Sequence, residues 1–423
     1  MTSTANPRIT GPPTPAFVID ESALGILVNR FQVALANHWP HSIMSYSVKT
    51  NSLPWLLTYM KSQGVWAEVV SDSEYRLARA IGYAPERIVY NGPVKSRAVL
   101  RWALRNGSLT NLDSKREVRW AAELAEEDPR LDVRVGLRVN WDLEARCPGE
   151  STLPGEVSRF GFNFENGDLE EVIADLDVAG VKVAGLHMHR NSRTSSLRVF
   201  QAAAGVAAEI ISTLVLDLDW LDIGGGFFGG LKDTDLFDDY ISGIRTALGS
   251  AVDPERTRLV IEPGGSVIAA PVEFHAQVLD TKDIDHRRFV ITDTSRTDID
   301  PLFRKQGSYD IDTEATLETC HPEQVIAGFT CMEDDRLMVL KNSPKLVEGD
   351  RIVFRRVGAY TMSYGSSFIE FPPAVYVRHE NLLTLVRSGG GVEDFLRNNA
   401  PQERLQHQSP VVNPRHLRPN STE

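Results

Sequence analysis

The strongest constraint in this sequence is a repeated alternation. Short apolar runs that end in polar or turn residues recur as SIMSYSVK (Ser42–Lys49), VWAEV (Val65–Val69), RIVYNG (Arg87–Gly92) and SLTNLD (Ser108–Asp113). They continue as VRVGLRVN (Val133–Asn140), VAGLHMH (Val183–His189), DWLDIGGG (Asp219–Gly226) and RLVIEPG (Arg258–Gly264). Runs of this length bounded by turn residues read as strands. Between most of them lies a segment of helical character, such as SEYRLARAIG after the second and SKREVRWAAELAEE after the fourth. Eight β/α units over about 220 residues suit a closed (β/α)8 TIM-type barrel, whose usual size is ~250 residues. An open doubly wound sheet is the alternative.

In a closed barrel the C-terminal strand ends gather at one mouth, where active sites are built. Here those ends carry Lys49, Glu68, Asn91, Asp113, Arg138, His189, Gly224, Gly225, Gly226 and Glu262. After Gly264 the texture changes. VEFHAQVLD, RRFVITDT, DRLMVL, DRIVFRRVGAY and AVYVRH alternate and are separated by Gly, Pro, Asn and Asp, the pattern of an antiparallel β domain. The early TPAFVID (Thr14–Asp20) precedes the first barrel helix and can add a strand to it. The expected division is a barrel over 20–264, a β domain from 1–19 and 265–390, and a flexible tail over 391–423.

At 423 residues the chain is long for one domain, which fits that division. A net charge of −12 argues against nucleic acid or an anionic membrane surface as a partner. Cys147, Cys320 and Cys331 form no CxxC pair, and read as reduced thiols of a cytoplasmic protein. MTSTANPRIT has no apolar run after a basic start, so no signal peptide is expected. No stretch approaches the ~20 apolar residues that span a bilayer.

Lys49 admits two readings. It is a solvated lysine at a strand end, or an amine placed in a pocket, where it can act as the nucleophile of a Schiff base. Gly224–Gly226 follow one strand and EPGGS (Glu262–Ser266) ends the next. Each glycine run alone is explained by a tight turn. Two on adjacent final strands repeat the usual barrel position of a phosphate site. Glu262 is a surface carboxylate, or one that faces a pyridine nitrogen and keeps that ring protonated. His189 is a hydrogen-bonded core histidine, or a ring stacked on a cofactor. His187 points to the same side one layer deeper.

Taken together, Lys49 in SYSVKTN, EVVSDSE (Glu68–Glu74), NGPVKS, RFGF, HRNS, LDIGGGF and EPGG resemble the fold-type III pyridoxal-phosphate decarboxylases. That family includes diaminopimelate, ornithine, arginine and carboxynorspermidine decarboxylases, on an alanine-racemase-like barrel. AGFTCMEDD, LVEGDRIVF and GAYTMSYGSSF extend the resemblance through the β domain. It implies pyridoxal 5'-phosphate as cofactor and no metal. Lys49 would be the covalently attached lysine, His189 the stacked ring, and Glu262 the partner of the pyridine nitrogen, with Arg138 and Glu68 beside them. Ser192, Gly224, Gly225, Gly226, Gly264, Gly265 and the Tyr360 hydroxyl would line the phosphate. Cys331 and Asp335 match a C-x-x-x-D element that a partner subunit supplies, which implies a homodimer with shared sites.

Several positions depart from the family pattern. HRNS stands where H-x-G-S is usual, and EPGG where EPGR is usual, so Gly265 replaces an arginine that meets phosphate or substrate. Met332 replaces an acidic residue, Asp300-Pro301 an Arg-Pro pair, and Phe368-Ile369 a Phe-Asn pair. Asp300, Met332, Asp335 and Phe368 are therefore the expected substrate contacts. The expected activity is decarboxylation of an amino acid to carbon dioxide and an amine, with Cys331 or Lys49 reprotonating Cα. A basic, modified or carrier-linked substrate is favoured over diaminopimelate because Asp300 stands where a cation would be. An amino-acid racemase and a non-catalytic homologue that binds a partner are the other two readings.

Overall fold

The computed structural model describes residues 11–399 apart from 152, 154, 156, 192–195, 228–235, 305–308 and 366. The chain enters through β1 (Ala16–Asp20) and turns into the helix Glu21–His38, where the Asp20 side chain accepts from the Ala23 N–H at 2.8 Å. The barrel strands follow as β2 (Ser42–Ser47), β3 (Trp66–Val69), β4 (Ile88–Tyr90), β5 (Leu109–Leu112) and β6 (Arg134–Asn140). After a two-residue strand β7 (Phe162–Asn163) that only flanks β6 come β8 (Lys182–His187), β9 (Trp220–Asp222) and β10 (Arg258–Ile261). All neighbours in the ring are parallel, and β10 pairs with β2 through Leu259–Ser42, Val260–Ile43 and Ile261–Met44, closing it. The eight sequence runs are the eight strands of a TIM-type barrel.

The inside of the barrel is a small core of its own, made by Ile43, Val89, Leu109, Ala184, Trp220 and Val260. Trp220 is its keystone. A β-carbon on Gly185 would lie 2.2 Å from the indole ring, and one on Gly136 would lie 1.9 Å from the Asn111 amide oxygen that the indole N–H meets at 3.1 Å. Two glycines thus make room for one large ring, which fills the lower barrel and leaves the polar layer above it.

The second unit is a nine-stranded sheet. Its strands are β1, β11 (Val272–Ile284), β12 (Arg287–Thr292), β13 (Asp310–Glu314), β14 (Cys320–Ala327), β15 (Arg336–Pro344), β16 (Arg351–Arg355), β17 (Ala374–His379) and β18 (Leu382–Arg387). Their order is β15-β14-β12-β11-β1-β17-β18, with β16 also on β11 and β13 on β16. The sheet is mixed rather than purely antiparallel: β1 runs parallel to β17 and β12 parallel to β14. β1 and β17 reach the sheet from opposite ends of the chain, with the barrel between them as the crossover, so no hairpin dictates their direction. Residues 392–399, placed in the expected tail, form an exposed helix whose Phe395 ring meets Phe371 at 5.8 Å. The rest of that tail lies outside the described residues.

A fully buried ion pair braces the loops at the barrel mouth. The Lys95 ammonium donates to the Gly92 carbonyl at 2.7 Å and to Glu117 at 3.0 Å, and Glu117 accepts the Asp113 N–H at 2.9 Å. Lys95→Met strands the Glu117 carboxylate, and is expected to cost about 3–5 kcal/mol in urea unfolding. Lys95→Met combined with Glu117→Leu should recover most of that loss, because the uncompensated charge is gone.

Candidate active site

β2 ends at Ser47, not at Lys49; Val48–Thr50 tighten into a single 3-10 turn. The turn lifts Lys49 off the strand and aims its amine into a cavity of ≈ 800 Å³ at the C-terminal mouth of the barrel. That volume is within the ~300–1,000 Å³ usual for small-molecule sites. The Lys49 Nζ donates to Ser47 Oγ at 2.6 Å and to Glu68 Oε2 at 2.7 Å, and Ser47 Oγ donates to the same Glu68 oxygen at 2.6 Å. The side chain keeps 38% of its surface and lines the cavity, while Glu68 is buried. Burial alone would lower the ammonium pKa, but the nearby charges of Glu68 and then Glu262 outweigh it and raise it above its ordinary value. The amine is therefore held protonated, with a carboxylate in contact to take the proton.

A polar ladder crosses the cavity floor. Trp220 Nε1 donates to Asn111, Asn111 donates to Asn91 Oδ1 at 2.8 Å and to Asp222 at 3.0 Å, and Asn91 donates to Glu262 and to Glu68. Glu262 and Asp222 are both buried and hydrogen-bonded to each other. Burial, with the charges of Asp222 and Glu68, pushes Glu262 well above the carboxylate range; burial pushes Asp222 up to about 7. Both shifts favour a protonated carboxyl in this pair. The His187 Nε2 lies 3.8 Å from Glu262 Oε2, and burial followed by the Arg138 charge keeps that imidazole neutral. The donor atoms of His187, Asp222 and Glu262 fall within 4.8 Å of one another, and the raised pKa values of the two carboxyls favour a proton there.

Above the floor, the rings of His189 and His187 lie 14° from parallel with centroids 6.3 Å apart. Burial and then the Arg138 charge bring the His189 pKa down to about 3, so it presents a neutral flat ring. Arg138 donates to Asp113 at 3.0 Å and sits 4.4 Å over the Phe160 ring. The glycine loops after β9 and β10 approach too closely for side chains. A β-carbon on Gly224 would lie 2.4 Å from the His189 Cβ, at a φ of +81°, and one on Gly264 would lie 2.2 Å from Thr50 Oγ1. Gly225, Gly226, Gly264 and Gly265 line the cavity, and Tyr360 closes it from the β domain, its N–H bonded to the Thr50 carbonyl at 2.9 Å.

Not every expected residue arrives there. Ser192 lies outside the described residues. Asp300, Met332, Asp335, Phe368 and Cys331 are absent from the described lining of this chain's cavity. Asp300 is 3% exposed, pairing with Arg296 Nη2 at 2.8 Å and accepting the Arg304 N–H. Asp335, equally buried, accepts from the Arg296 N–H, Ser295 Oγ, and the Thr330 N–H and Oγ1, so both its oxygens are spent on joining two loops. Neither carboxylate belongs to the described lining of its own chain's cavity. Cys331 and Phe368 are exposed on the surface. The sequence reading passed over Asp222, two residues before the glycine run, and the lining residues Phe160, Arg159, Arg356 and Tyr364. An acidic residue inside LDIGGG was the available signal for the first.

A family profile for the pyridoxal-binding domain of pyridoxal-dependent decarboxylases matches residues 26–269. Diaminopimelate decarboxylase of Helicobacter pylori (strain J99) is 26% identical over 365 residues, 84% of this chain and 88% of that one. The Zymomonas mobilis diaminopimelate decarboxylase is 27% identical over 400 residues, 93% and 94% of the two chains. The crystal structure of the Helicobacter pylori enzyme complexed with L-lysine superposes with a TM-score of 0.77 at 25% identity, covering 92% of this chain and 97% of that one. The chain belongs to the pyridoxal-dependent decarboxylase family. It is an amino-acid decarboxylase, and its cofactor is pyridoxal phosphate.

The site fits that cofactor on its own geometry. The cavity offers one amine, a flat neutral imidazole, a proton-bearing carboxyl pair and a glycine cradle. Beside the cradle, the buried hydroxyls of Thr50 and Ser266 have no hydrogen-bond partner among the described residues, which suits an incoming phosphate.

His189 also gives a pH signature. Its folded pKa lies below its unfolded one, so it contributes stability present above pH 6.5 and lost as pH falls toward 3. In the cofactor-free protein, the stability gap between wild type and His189→Gln should therefore move in favour of the variant on acidification from pH 7 to 4. A gap that stays constant across that range in urea titrations contradicts the assignment.

Proposed function

We propose that the enzyme acts on an amino acid with a polar far end, diaminopimelate foremost, and that Lys49, Glu68, His189 and Glu262 carry the site. The observation that carries the reading is the single amine contacting a buried carboxylate at the mouth of the barrel. Lys49 would bind the cofactor covalently, giving up its proton to Glu68. Glu262, backed by Asp222, would hold a proton at the pyridine nitrogen. His189 would cover one ring face, and Gly225, Gly226, Gly264, Gly265 and Ser266 would receive the phosphate, with the Tyr360 hydroxyl. Bound pyridoxal phosphate supplies the electron sink for the bond to the departing carboxylate. The protein's share is orientation and electrostatics.

Two observations favour diaminopimelate over the basic substrate read from the sequence. Relatives that cover most of the chain are diaminopimelate decarboxylases. The charge that argued against it, Asp300, is paired with Arg296 and absent from the described lining of the cavity. Cys331 is exposed and outside the described lining of its own chain's cavity, which supports a homodimer in which it would serve a partner subunit's site. Three unpaired cysteines fit a reducing, cytoplasmic setting.

Carbon dioxide release should be fastest with diaminopimelate in a panel that includes lysine, ornithine and arginine. Lys49→Ala should lower kcat by at least about 100-fold. Cofactor-loaded enzyme that releases nothing from any of them, or that exchanges the Cα hydrogen while keeping the carboxylate, would turn the reading toward a binding protein or a racemase.

A further inference from the structure

The cavity wall contributed by the β domain contains a cation with no assigned role. Arg356 lines the cavity together with Gly265, Ala269, Tyr360 and Tyr364. Its backbone is left-handed, with φ 61°, a conformation uncommon for a long side chain and concentrated at functional sites. The neighbouring backbone fixes it there. The Val357 N–H meets the Val272 carbonyl at 3.1 Å and the Gly358 N–H meets the Ala269 carbonyl at 3.2 Å.

Two of the other three cavity cations are paired with carboxylates. Lys49 is held by Glu68, and Arg138 by Asp113 at 3.0 Å. Arg159 stacks on Phe160, 4.3 Å from its centroid. Arg355, one residue away, contacts both Glu273 and Asp312. Arg356 meets one carboxylate among the described residues, Asp310, at 3.6 Å, beyond hydrogen-bond length, and that carboxylate is 58% exposed. A cavity-lining guanidinium whose one carboxylate neighbour among the described residues stands beyond hydrogen-bond length is suited to an oxyanion, which it can grip with two parallel hydrogen bonds.

We propose that Arg356 is an anion subsite of the cavity, receiving an oxyanion of a bound molecule. Two sources share that chemistry: the far carboxylate of the substrate and the phosphate of the cofactor. In either case Arg356 supplies a cation on the side of the cavity where the EPGG loop has none. The proposal rests on the reading of this cavity as the cofactor and substrate site.

Arg356→Gly removes the side chain at a backbone angle glycine adopts freely, so the fold is retained, and Arg356→Lys keeps the charge without the fork. Three affinities decide the matter: pyridoxal phosphate, pyridoxal, and the seven-carbon dicarboxylate pimelate as a competitor of substrate. If the phosphate is the anion, Arg356→Gly weakens pyridoxal phosphate about 10- to 100-fold and leaves pyridoxal unchanged. If the substrate carboxylate is the anion, cofactor affinity holds, while the pimelate dissociation constant, titrated directly, and the diaminopimelate KM rise by about the same factor. Arg356→Lys should fall between wild type and the glycine variant in whichever affinity moves. The subsite is overturned if Arg356→Gly leaves cofactor affinity within about twofold and pimelate either fails to bind wild type or binds both proteins alike. Because pyridoxal phosphate and pimelate titrations need no turnover, they decide this even if no amino acid in the panel is decarboxylated.

Discussion

Three buried carboxylates, Glu68, Asp222 and Glu262, lie in one layer of this barrel, and the structure depends on how their charge is balanced. Isolated, each would be costly to bury ionised. One ammonium, Lys49, and the proton favoured by the raised pKa values of Asp222 and Glu262 offset two of the three charges, and Asn91 and Asn111 donate hydrogen bonds across the layer. The arrangement keeps a protonated amine in contact with a carboxylate that can take its proton, and a protonated carboxyl at the cavity floor.

The rest of the fold sets that layer in place. Trp220 fills the barrel beneath it, wedged against Gly136 and Gly185, and its indole N–H anchors the first asparagine of the ladder. The buried Lys95–Glu117 pair ties the loop after β4 to the one after β5, where Asp113 holds Arg138. The β domain closes the mouth through Tyr360, whose N–H is bonded to the turn that carries Lys49.

Much of this was legible in the sequence. Parallel barrel strands are covered on both faces, so they read as short continuous apolar runs, and the residues that end them fall together by topology. Lys49, Glu68, Glu262 and the glycines were visible for that reason. The β domain was harder. β13 is DIDTE and β14 contains His321, Pro322 and Glu323, so neither shows strong alternation. Asp300 misled because a charge was read without its partner: Arg296, one helical turn earlier in SRTDID, absorbs it. Arg356 lay hidden beside an ordinary strand arginine, since nothing in FRRVGAY distinguishes the residue that turns into the cavity.

The most direct test is the site of covalent attachment. Enzyme loaded with pyridoxal phosphate, reduced with borohydride and digested, should carry a pyridoxyl group on the peptide containing Lys49. Modification confined to another lysine, or none after reduction, would contradict the account.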